Sequence, residues 1–215
     1  MAIGKSPLLE NLSGKIGNLI IYQMNGKTVI RQKPDPGKKR KLSPLQLYYQ
    51  RSFRVCQEFL RPLKRELDFG YQEFFDLGKR GFQLAMSWAL KNALDNQGND
   101  PVLNPEKIKI SRGDLTGFEG ASVVRISGNQ LQFNWVNNSW SGSARETDRV
   151  FLVAYHREGE KVISKAEGAF REAGSEILDL PWNDPLINQI HVYVAFSQKK
   201  SKGLVFSESQ YLGRV

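Results

Sequence analysis

The sequence has few of the residues that form metal sites and covalent cross-links. It contains one cysteine, Cys56, and two histidines, His156 and His191, in 215 residues. A single cysteine forms no internal disulfide, and neither histidine is close in sequence to a second histidine or to a cysteine. We therefore expect no metal site and no cofactor. Because Cys56 belongs to an apolar stripe, we expect its thiol to be buried and unreactive.

Long hydrophobic runs are missing as well. The N-terminal stretch MAIGKSPLLENLSGKIG has no apolar core of signal-peptide length. No later run approaches the roughly 20 apolar residues that a membrane-spanning helix needs. We therefore expect no standard signal peptide and no transmembrane segment. The expected location is the cytoplasm or a larger particle.

Local signatures of catalysis are also missing. The stretch Gly14-Lys15-Ile16-Gly17 lacks the spacing and the Gly-Lys-Ser/Thr ending of a phosphate-binding loop. No Gly-x-Ser-x-Gly elbow and no dinucleotide fingerprint occur in the sequence. We therefore expect a protein that is not an enzyme, with no catalytic residues and no small-molecule substrate.

The charge that is present is distributed unevenly. The net charge is +9; residues 1–100 hold 17 Lys and Arg against 9 Asp and Glu, whereas residues 101–215 hold 14 against 13. The basic character therefore belongs to the N-terminal half. Such a surface suits nucleic acid or another polyanion, but many basic proteins bind no nucleic acid specifically, and both alternatives stay open.

Residues 14–32 predict a β-hairpin. Two β-rich runs flank Asn25-Gly26, a pair that supplies the positive φ angles of a type I′ turn. We interpret apolar side chains of this hairpin as facing outward, where they would meet a protein partner by strand addition. The candidate positions for this contact are Ile21, Tyr22 and Val29.

A long amphipathic helix is predicted from Ser43 to Leu67. Ser43 suits the N-cap, and Pro44 suits the first helical position, where a missing N–H costs nothing. Because Pro62 removes a backbone donor, we expect the helix to kink or divide near residues 58–59. The apolar stripe recurs in steps of four and three residues and consists of Leu45, Tyr49, Phe53, Cys56, Leu60, Leu63 and Leu67.

Basic residues lie before and along this helix. The segment Lys33 to Lys41 combines two prolines, a glycine and five basic residues, which is typical of an exposed linker. The helical arginines fall on a narrow arc, but Glu58 lies among them, so surface ion pairing is an alternative to phosphate binding. The candidate polyanion contacts are Lys38, Lys39, Arg40, Lys41, Arg51, Arg54, Arg61 and Arg65.

A second helix is predicted from Phe82 to Asp95, and it can pack with the first as a helical hairpin. Residues 96–104 then lose periodicity and gather Asn, Gly, Asp and Pro. We therefore predict a domain boundary there. The N-terminal domain would span residues 1–98 and the C-terminal domain residues 104–215.

The C-terminal domain is predicted to be an all-β sandwich, because short β-rich runs alternate with turn signals. In one run Leu131, Phe133 and Trp135 alternate on one face, which predicts the inner surface of a sheet. The predicted strands are 107–111, 122–126, 130–135, 148–156, 161–165, 175–180, 189–197 and 204–212.

Arg112-Gly113-Asp114 matches a tripeptide that some adhesion proteins use as a ligand. Such triplets are common, and this one follows a predicted strand in a place suited to a tight turn. We therefore interpret it as a turn rather than as an adhesion ligand.

The C-terminal strands resemble a known fold. LQFNWVN, DRVFLVAY, EILDLP and IHVYVAFS occur in this order and look like strands B, C, E and F of a fibronectin type III or related immunoglobulin-like domain. This resemblance implies a fold and no activity. The expected fold class is α+β, with a β-hairpin and a helical hairpin followed by an immunoglobulin-like β-sandwich.

The whole chain also resembles the family catalogued as domain of unknown function 6266, small proteins found mainly in Bacteroidota. The matching segments are SGKIGNLIIYQMNGKTVIRQKP, LSPLQLYYQRSFRVCQEFLRPLK, ISRGDL, DRVFLVAYH and SESQYLGRV. The resemblance implies a two-part layout and lends no activity, cofactor or catalytic residue. Met24-Asn25 departs from the aromatic residue usual before the hairpin glycine.

These features predict a non-enzymatic structural or interaction protein, which acts by binding a protein partner or by self-assembly. The alternative is a basic module that binds nucleic acid through residues 33–65.

Overall fold

The computed structural model describes residues 2–4, 12–24, 26–34, 41–75, 80–97, 100–181, 189–201 and 203–215. It divides the chain into two compact units, Met1–Ser43 and Pro44–Val215. Helices and antiparallel strands make this an α+β protein, as the sequence predicts.

The first unit is a four-stranded antiparallel sheet with the order β1-β4-β3-β2. The predicted hairpin is confirmed, because β3 and β4 pair with Met24 opposite Lys27. Gly26 has a φ of +68°, which a glycine adopts without steric cost. The strands are β1 (Ala2–Gly4), β2 (Gly14–Ile16), β3 (Leu19–Met24) and β4 (Lys27–Gln32).

The second unit begins with helices. The predicted long helix divides at Pro62, and α1 ends slightly after the expected position. Proline accounts for this division because its ring lacks a backbone donor and clashes with the preceding turn. The second predicted helix also forms and ends earlier, at Asn92. The helices are α1 (Pro44–Leu60), α2 (Lys64–Gly70) and α3 (Gly81–Asn92).

A short hairpin of β5 (Leu94–Gln97) and β6 (Asp100–Leu103) follows α3. The strand expected at 107–111 does not form. Residues Pro105–Lys107 make a short 3-10 turn instead, with the side chain of Asn104 accepting a hydrogen bond from the Glu106 backbone.

Two antiparallel sheets make up the rest of the unit. Strands β11, β8 and β7 form the smaller sheet, and β10, β9 and β12 form the larger one, in which β12 also pairs with β13 and β14. The run expected at 204–212 is therefore two strands. The bounds are β7 (Glu119–Ser127), β8 (Gln130–Val136), β9 (Arg149–His156), β10 (Lys161–Lys165), β11 (Ser175–Asp179), β12 (Ile190–Lys200), β13 (Gly203–Phe206) and β14 (Gln210–Arg214).

The two sheets enclose one hydrophobic cluster. Leu131, Phe133 and Trp135 of β8 are buried in it, as their alternation predicts. The Trp135 indole lies edge-on to Phe196 of β12, with ring centroids 6.1 Å apart. Its Nε1 donates a hydrogen bond of 2.8 Å to the Arg171 carbonyl, so the polar end of this buried ring is satisfied.

The helices cover the outer face of the larger sheet. A second cluster joins Phe59 and Leu63 of the helical segment to Phe151, Tyr155 and Tyr193 of β9 and β12. Both central strands are therefore buried on both faces. The unbroken apolar runs in RVFLVAYH and IHVYVAFS are the sequence signal of this arrangement.

This packing places the helices in the same compact unit as the sandwich. Strands β5 and β6 pair with each other, and β6 packs against α1. The structure thus divides the chain at Ser43 and Pro44, whereas the sequence prediction puts the boundary at 96–104. A loop rich in Asn, Gly and Pro marks a turn in either case, and composition does not distinguish a hairpin turn from a linker.

A buried ion pair joins two loops at one end of the sandwich. Arg171 and Asp148 are fully buried, and Nη2 lies 3.1 Å from the carboxylate. The guanidinium also donates to the carbonyls of Thr116 and Gly117, and it stacks 3.6 Å from the centroid of Phe196. Because its partners are all within the fold, we assign this network to structure rather than to ligand binding.

No helix in the described ranges is long and apolar enough to cross a membrane.

Candidate functional site

The first half of α1 carries an exposed apolar face. Leu45, Tyr49 and Phe53 are 60%, 61% and 49% exposed. Cys56 and Leu60 continue the same stripe and are fully buried. The apolar stripe is therefore longer than the part of α1 that the rest of its unit covers. In the uncovered first half of the helix, large apolar side chains are exposed to solvent.

A groove runs between this part of α1 and the C-terminal end of α3. Its volume is about 560 Å³, and one wall is formed by Tyr48, Tyr49, Ser52 and Phe53 of α1. The opposite wall is formed by Leu90, Lys91 and Leu94. The hydroxyl of Ser52 is buried and has no hydrogen-bond partner within the described residues. An apolar groove with one unused polar group suits a ligand that brings its own donor or acceptor.

The charged residue of the groove lining is positive, namely Lys91. Residues 41–57 contain Lys41, Arg51 and Arg54 but no Asp or Glu, and α3 contains Lys91 and no acidic residue. Arg51 forms an exposed ion pair with Asp100. An acidic ligand would therefore meet favourable charge at this face.

The predicted polyanion residues are only partly gathered here. Arg51 and Arg54 are exposed on α1, Arg61 lies in the break after that helix, and Arg65 is exposed on α2. Lys41 is exposed just before α1. Lys38, Lys39 and Arg40 lie outside the described residues.

The hairpin residues are not where the sequence analysis expects them. Ile21 and Val29 are 7% and 1% exposed, so the expectation that they face outward is wrong. Tyr22 is half-buried, and the Arg31 guanidinium lies 5.6 Å from its ring centroid. Alternation along a strand shows which residues share a face but not which face is covered, and here the apolar face is buried.

A short strand also flanks the hairpin on each side. Strands β3 and β4 are the two inner strands of their sheet, and both edge strands, β1 and β2, are three residues long. Strand addition is therefore blocked at residues 19–21 of β3 and 28–30 of β4, and the short edge strands offer few backbone groups to a partner.

Cys56 is buried, as the sequence predicts. Burial raises the pKa of its thiol to about 11. At neutral pH almost none of it is thiolate, the form that reacts or binds metal.

The two histidines lie at the same end of the β9–β12 strand pair, where His156 is opposite Ile190 and His191 is opposite Tyr155. No group of three or more His, Cys, Asp or Glu residues within the described ranges is arranged to hold a metal ion. His191 is buried beside Phe59, and its Nδ1 lies 2.9 Å from the Tyr211 hydroxyl. Burial, aided by Arg214 and Arg157, lowers the pKa of His191 to about 4, so the ring is neutral at pH 7.

The Arg112-Gly113-Asp114 stretch packs against the protein. The Arg112 guanidinium lies 4.4 Å from the centroid of the Trp88 ring. A Cβ at Gly113 would lie 2.1 Å from the Phe206 carbonyl oxygen, so only glycine fits this close approach. Sequence analysis missed the contact between Trp88 and Arg112, because no local pattern links residues so far apart in the chain.

Comparisons with known proteins give one match. No curated protein and no solved structure is significantly similar to this chain. A family model described as a family of unknown function, DUF6266, matches residues 11–213. Since the match covers nearly the whole chain, this protein belongs to the DUF6266 family.

Proposed function

We propose that this protein is a non-enzymatic interaction protein that holds a segment of a partner protein in the groove between α1 and α3. The observation that carries the proposal is the exposure of Leu45, Tyr49 and Phe53 on the stripe that is buried further along the helix. Contiguous exposed apolar groups of this kind mark interaction surfaces in soluble proteins.

The partner that fits this groove is an acidic amphipathic helix. Apolar side chains at helical spacing would enter the groove, as in other complexes in which a helix lies along an apolar groove. Acidic residues beside them would face Lys91, the charged residue of the groove lining, and residues 44–57 of α1 contain no Asp or Glu. A second copy of this chain would bring the same positive surface to itself, which disfavours self-assembly at this face.

A pair of synthetic peptides tests this proposal. Both would carry the same Leu and Phe positions on a helical face; one would have Glu and the other Lys at the flanking positions. We expect full-length protein to bind the acidic peptide in fluorescence anisotropy and to bind the basic peptide at least about tenfold more weakly. Tyr49→Ser and Phe53→Ser should each weaken binding of the acidic peptide by about tenfold.

The matched control is Val124→Ser. Val124 is an exposed apolar residue on β7, in the smaller sheet, and its substitution should leave peptide binding unchanged. Equal binding of the two peptides, or loss of binding in Val124→Ser alone, would overturn the proposed site. A second copy of this chain is the other possible occupant of the groove, and analytical ultracentrifugation of the protein without peptide tests it. A dimer that dissociates in the Phe53→Ser variant would show that a second copy occupies the groove.

A second candidate function is nucleic-acid binding through residues 33–65. Lys41, Arg54, Arg61 and Arg65 are exposed and form no ion pair within the described residues, which favours it. Binding of a mixed-sequence oligonucleotide should then weaken with salt, with a log–log slope of roughly −0.7 to −0.9 per phosphate contact. Replacing Lys38, Lys39, Arg40, Arg51 and Arg54 with Gln should flatten the slope. Absence of binding at about 50 mM salt would remove this candidate.

We also propose that the sandwich has immunoglobulin-like, fibronectin type III topology. The arrangement of β7, β8 and β11 against β10, β9, β12 and the last two strands supports this proposal. A three-stranded sheet facing a larger one with this alternation of strands is typical of such domains.

The domain boundary has two candidates, and limited digestion distinguishes them. With a protease of broad specificity such as proteinase K, a first cut near Lys41 would separate the two compact units described above. A first cut within 96–104 would support the boundary that composition predicts.

A further inference from the structure

A separate cavity of about 320 Å³ lies beside α3. Aromatic side chains line it, namely Tyr71, Phe74 and Trp88. Its charged lining residues are Lys91 and Arg112. No acidic residue belongs to this lining. The Glu73 carboxylate lies nearby, beside Gly113, but is not among the lining groups.

Arg112 is held in place and lacks a polar partner. Its guanidinium stacks on Trp88 at 4.4 Å. Its Nε is buried and has no hydrogen-bond partner within the described residues, and none of the ion pairs among those residues includes Arg112. A buried donor that remains unpaired is costly, and a bound acceptor would remove that cost.

The neighbouring polar groups of the pocket are already engaged. The Trp88 indole donates to the Lys107 carbonyl at 3.0 Å. The Tyr71 hydroxyl donates to the Lys109 carbonyl at 3.0 Å, and burial raises its pKa, so it stays protonated. The Asn92 amide donates to the Trp88 carbonyl. The exception among the neutral groups is the Ser87 hydroxyl, for which no hydrogen bond is found within the described residues. Arg112 and Lys91 supply the cationic donors that are left for a ligand.

We propose that this pocket binds an organic carboxylate carried on an aromatic or branched apolar group. The carboxylate would pair with the planar Arg112 guanidinium, which suits two parallel hydrogen bonds, and Lys91 would add a second positive charge. The apolar group would lie against Trp88 and Phe74. A free small acid and the C-terminal residue of a polypeptide share this chemistry, and the volume suits a ligand of this size.

The first experiment uses 3-phenylpropionate and its uncharged amide with the full-length protein. Binding would be followed by the NMR signal of the Trp88 indole N–H, which Trp88→Phe identifies by its loss. We expect saturable shifts with the acid, and binding of the amide weaker by about tenfold or more, because a charge-assisted pair is lost. Phenyl phosphate tests the other common anion and should bind no more tightly than the acid.

Variants assign the binding to the proposed residues. Arg112→Gln should weaken binding of the acid by about tenfold or more, and Arg112→Lys should weaken it less, because the charge remains and the planar fork is lost. Arg145→Gln is the matched control. The Arg145 guanidinium lies 5.1 Å from the centroid of the Trp140 ring, and Arg145 is not part of the pocket lining. Its substitution should therefore leave binding of the acid unchanged.

The tripeptide Gly-Gly-Phe and its C-terminal amide separate the two sources of the carboxylate. Gly-Gly-Phe binding at least as tightly as 3-phenylpropionate identifies a polypeptide C-terminus, whereas binding of the small acid alone identifies a free metabolite. Absence of saturable binding by both acids, an unchanged affinity in Arg112→Gln, or tighter binding of phenyl phosphate would overturn the proposal. Lys91 lines both this pocket and the groove at α1, but Phe53 lines only the groove, so Phe53→Ser should leave the binding of 3-phenylpropionate intact.

Discussion

The two halves of α1 have the same amphipathic pattern and opposite environments. Leu45, Tyr49 and Phe53 lie in solvent, while Cys56 and Leu60 are fully buried against the larger sheet and the neighbouring helices. Helical periodicity specifies which side of a helix is apolar. Whether that side is covered depends on how far the surfaces packed against the helix extend, and this depends on residues elsewhere in the chain.

The largest expected effect is a difference in stability between substitutions in the buried half and in the exposed half of α1. Phe59→Ala should lower the free energy of unfolding by about 3–5 kcal/mol, because a fully buried aromatic ring leaves a cavity. Phe53→Ala should change it by no more than about 0.5 kcal/mol, since half of that ring is already in solvent. Urea denaturation of the wild type and both variants measures these changes in the free energy of unfolding. Similar losses in the two would mean that the first half of α1 is covered in solution.

A second expected effect uses thiol reactivity. In the wild-type protein the single thiol, Cys56, is buried with a pKa of about 11, so it should react slowly with a thiol reagent at pH 7.5. The variant Phe53→Cys with Cys56→Ser moves the thiol to the exposed half, where labelling should be about 100-fold faster or more, because more thiolate is present and access is open. Equal rates under native conditions would contradict the burial of the second half.

A smaller effect depends on pH and reports on the buried half. Phe59 lies edge-on to His191, whose pKa is lowered to about 4 from 6.5. Above pH 6.5 the ring is neutral in the folded and unfolded chains, so the full stabilisation is present. As the pH falls from 6.5 towards 4, the unfolded chain binds a proton that the folded chain does not, and the free energy of unfolding decreases.

The matching variant for this pH effect is His191→Gln. It should unfold with less dependence on pH between 4 and 6.5, whatever its stability at pH 7. Parallel pH profiles of the wild type and the variant would show that His191 is not held neutral in the folded protein. Chemical denaturation at several pH values provides the measurement.

Much of the local structure follows from sequence patterns. The hairpin around Asn25-Gly26, the start of α1 at Pro44 and its end before Pro62 each depend on a residue with restricted or unusual backbone preferences. Seven of the expected β runs also contain strands of the structure. The strand expected at 107–111 is the exception, because its alternating apolar residues Ile108 and Ile110 are buried by the helical cluster without joining a sheet.

The candidate sites depend on contacts between distant parts of the chain. The sequence predicts that Tyr49 and Phe53 are apolar neighbours on α1, but not that they are exposed beside Leu90. It contains Trp88 and Arg112 without any pattern that joins them. The expectation for Ile21 and Val29 is wrong for the same reason, since the covering of a strand face is a tertiary property.

By itself, the sequence determines where helices, strands and turns form, because backbone preferences and the periodicity of apolar residues act over a few neighbouring positions. Tertiary structure alone decides that the helices cover the outer face of the larger sheet, that half of the α1 stripe remains in solvent, and that Arg112 lies on Trp88. The physical reason is that burial and side-chain contacts depend on segments that are far apart in the chain. The local sequence pattern of one segment does not show which other segment will pack against it.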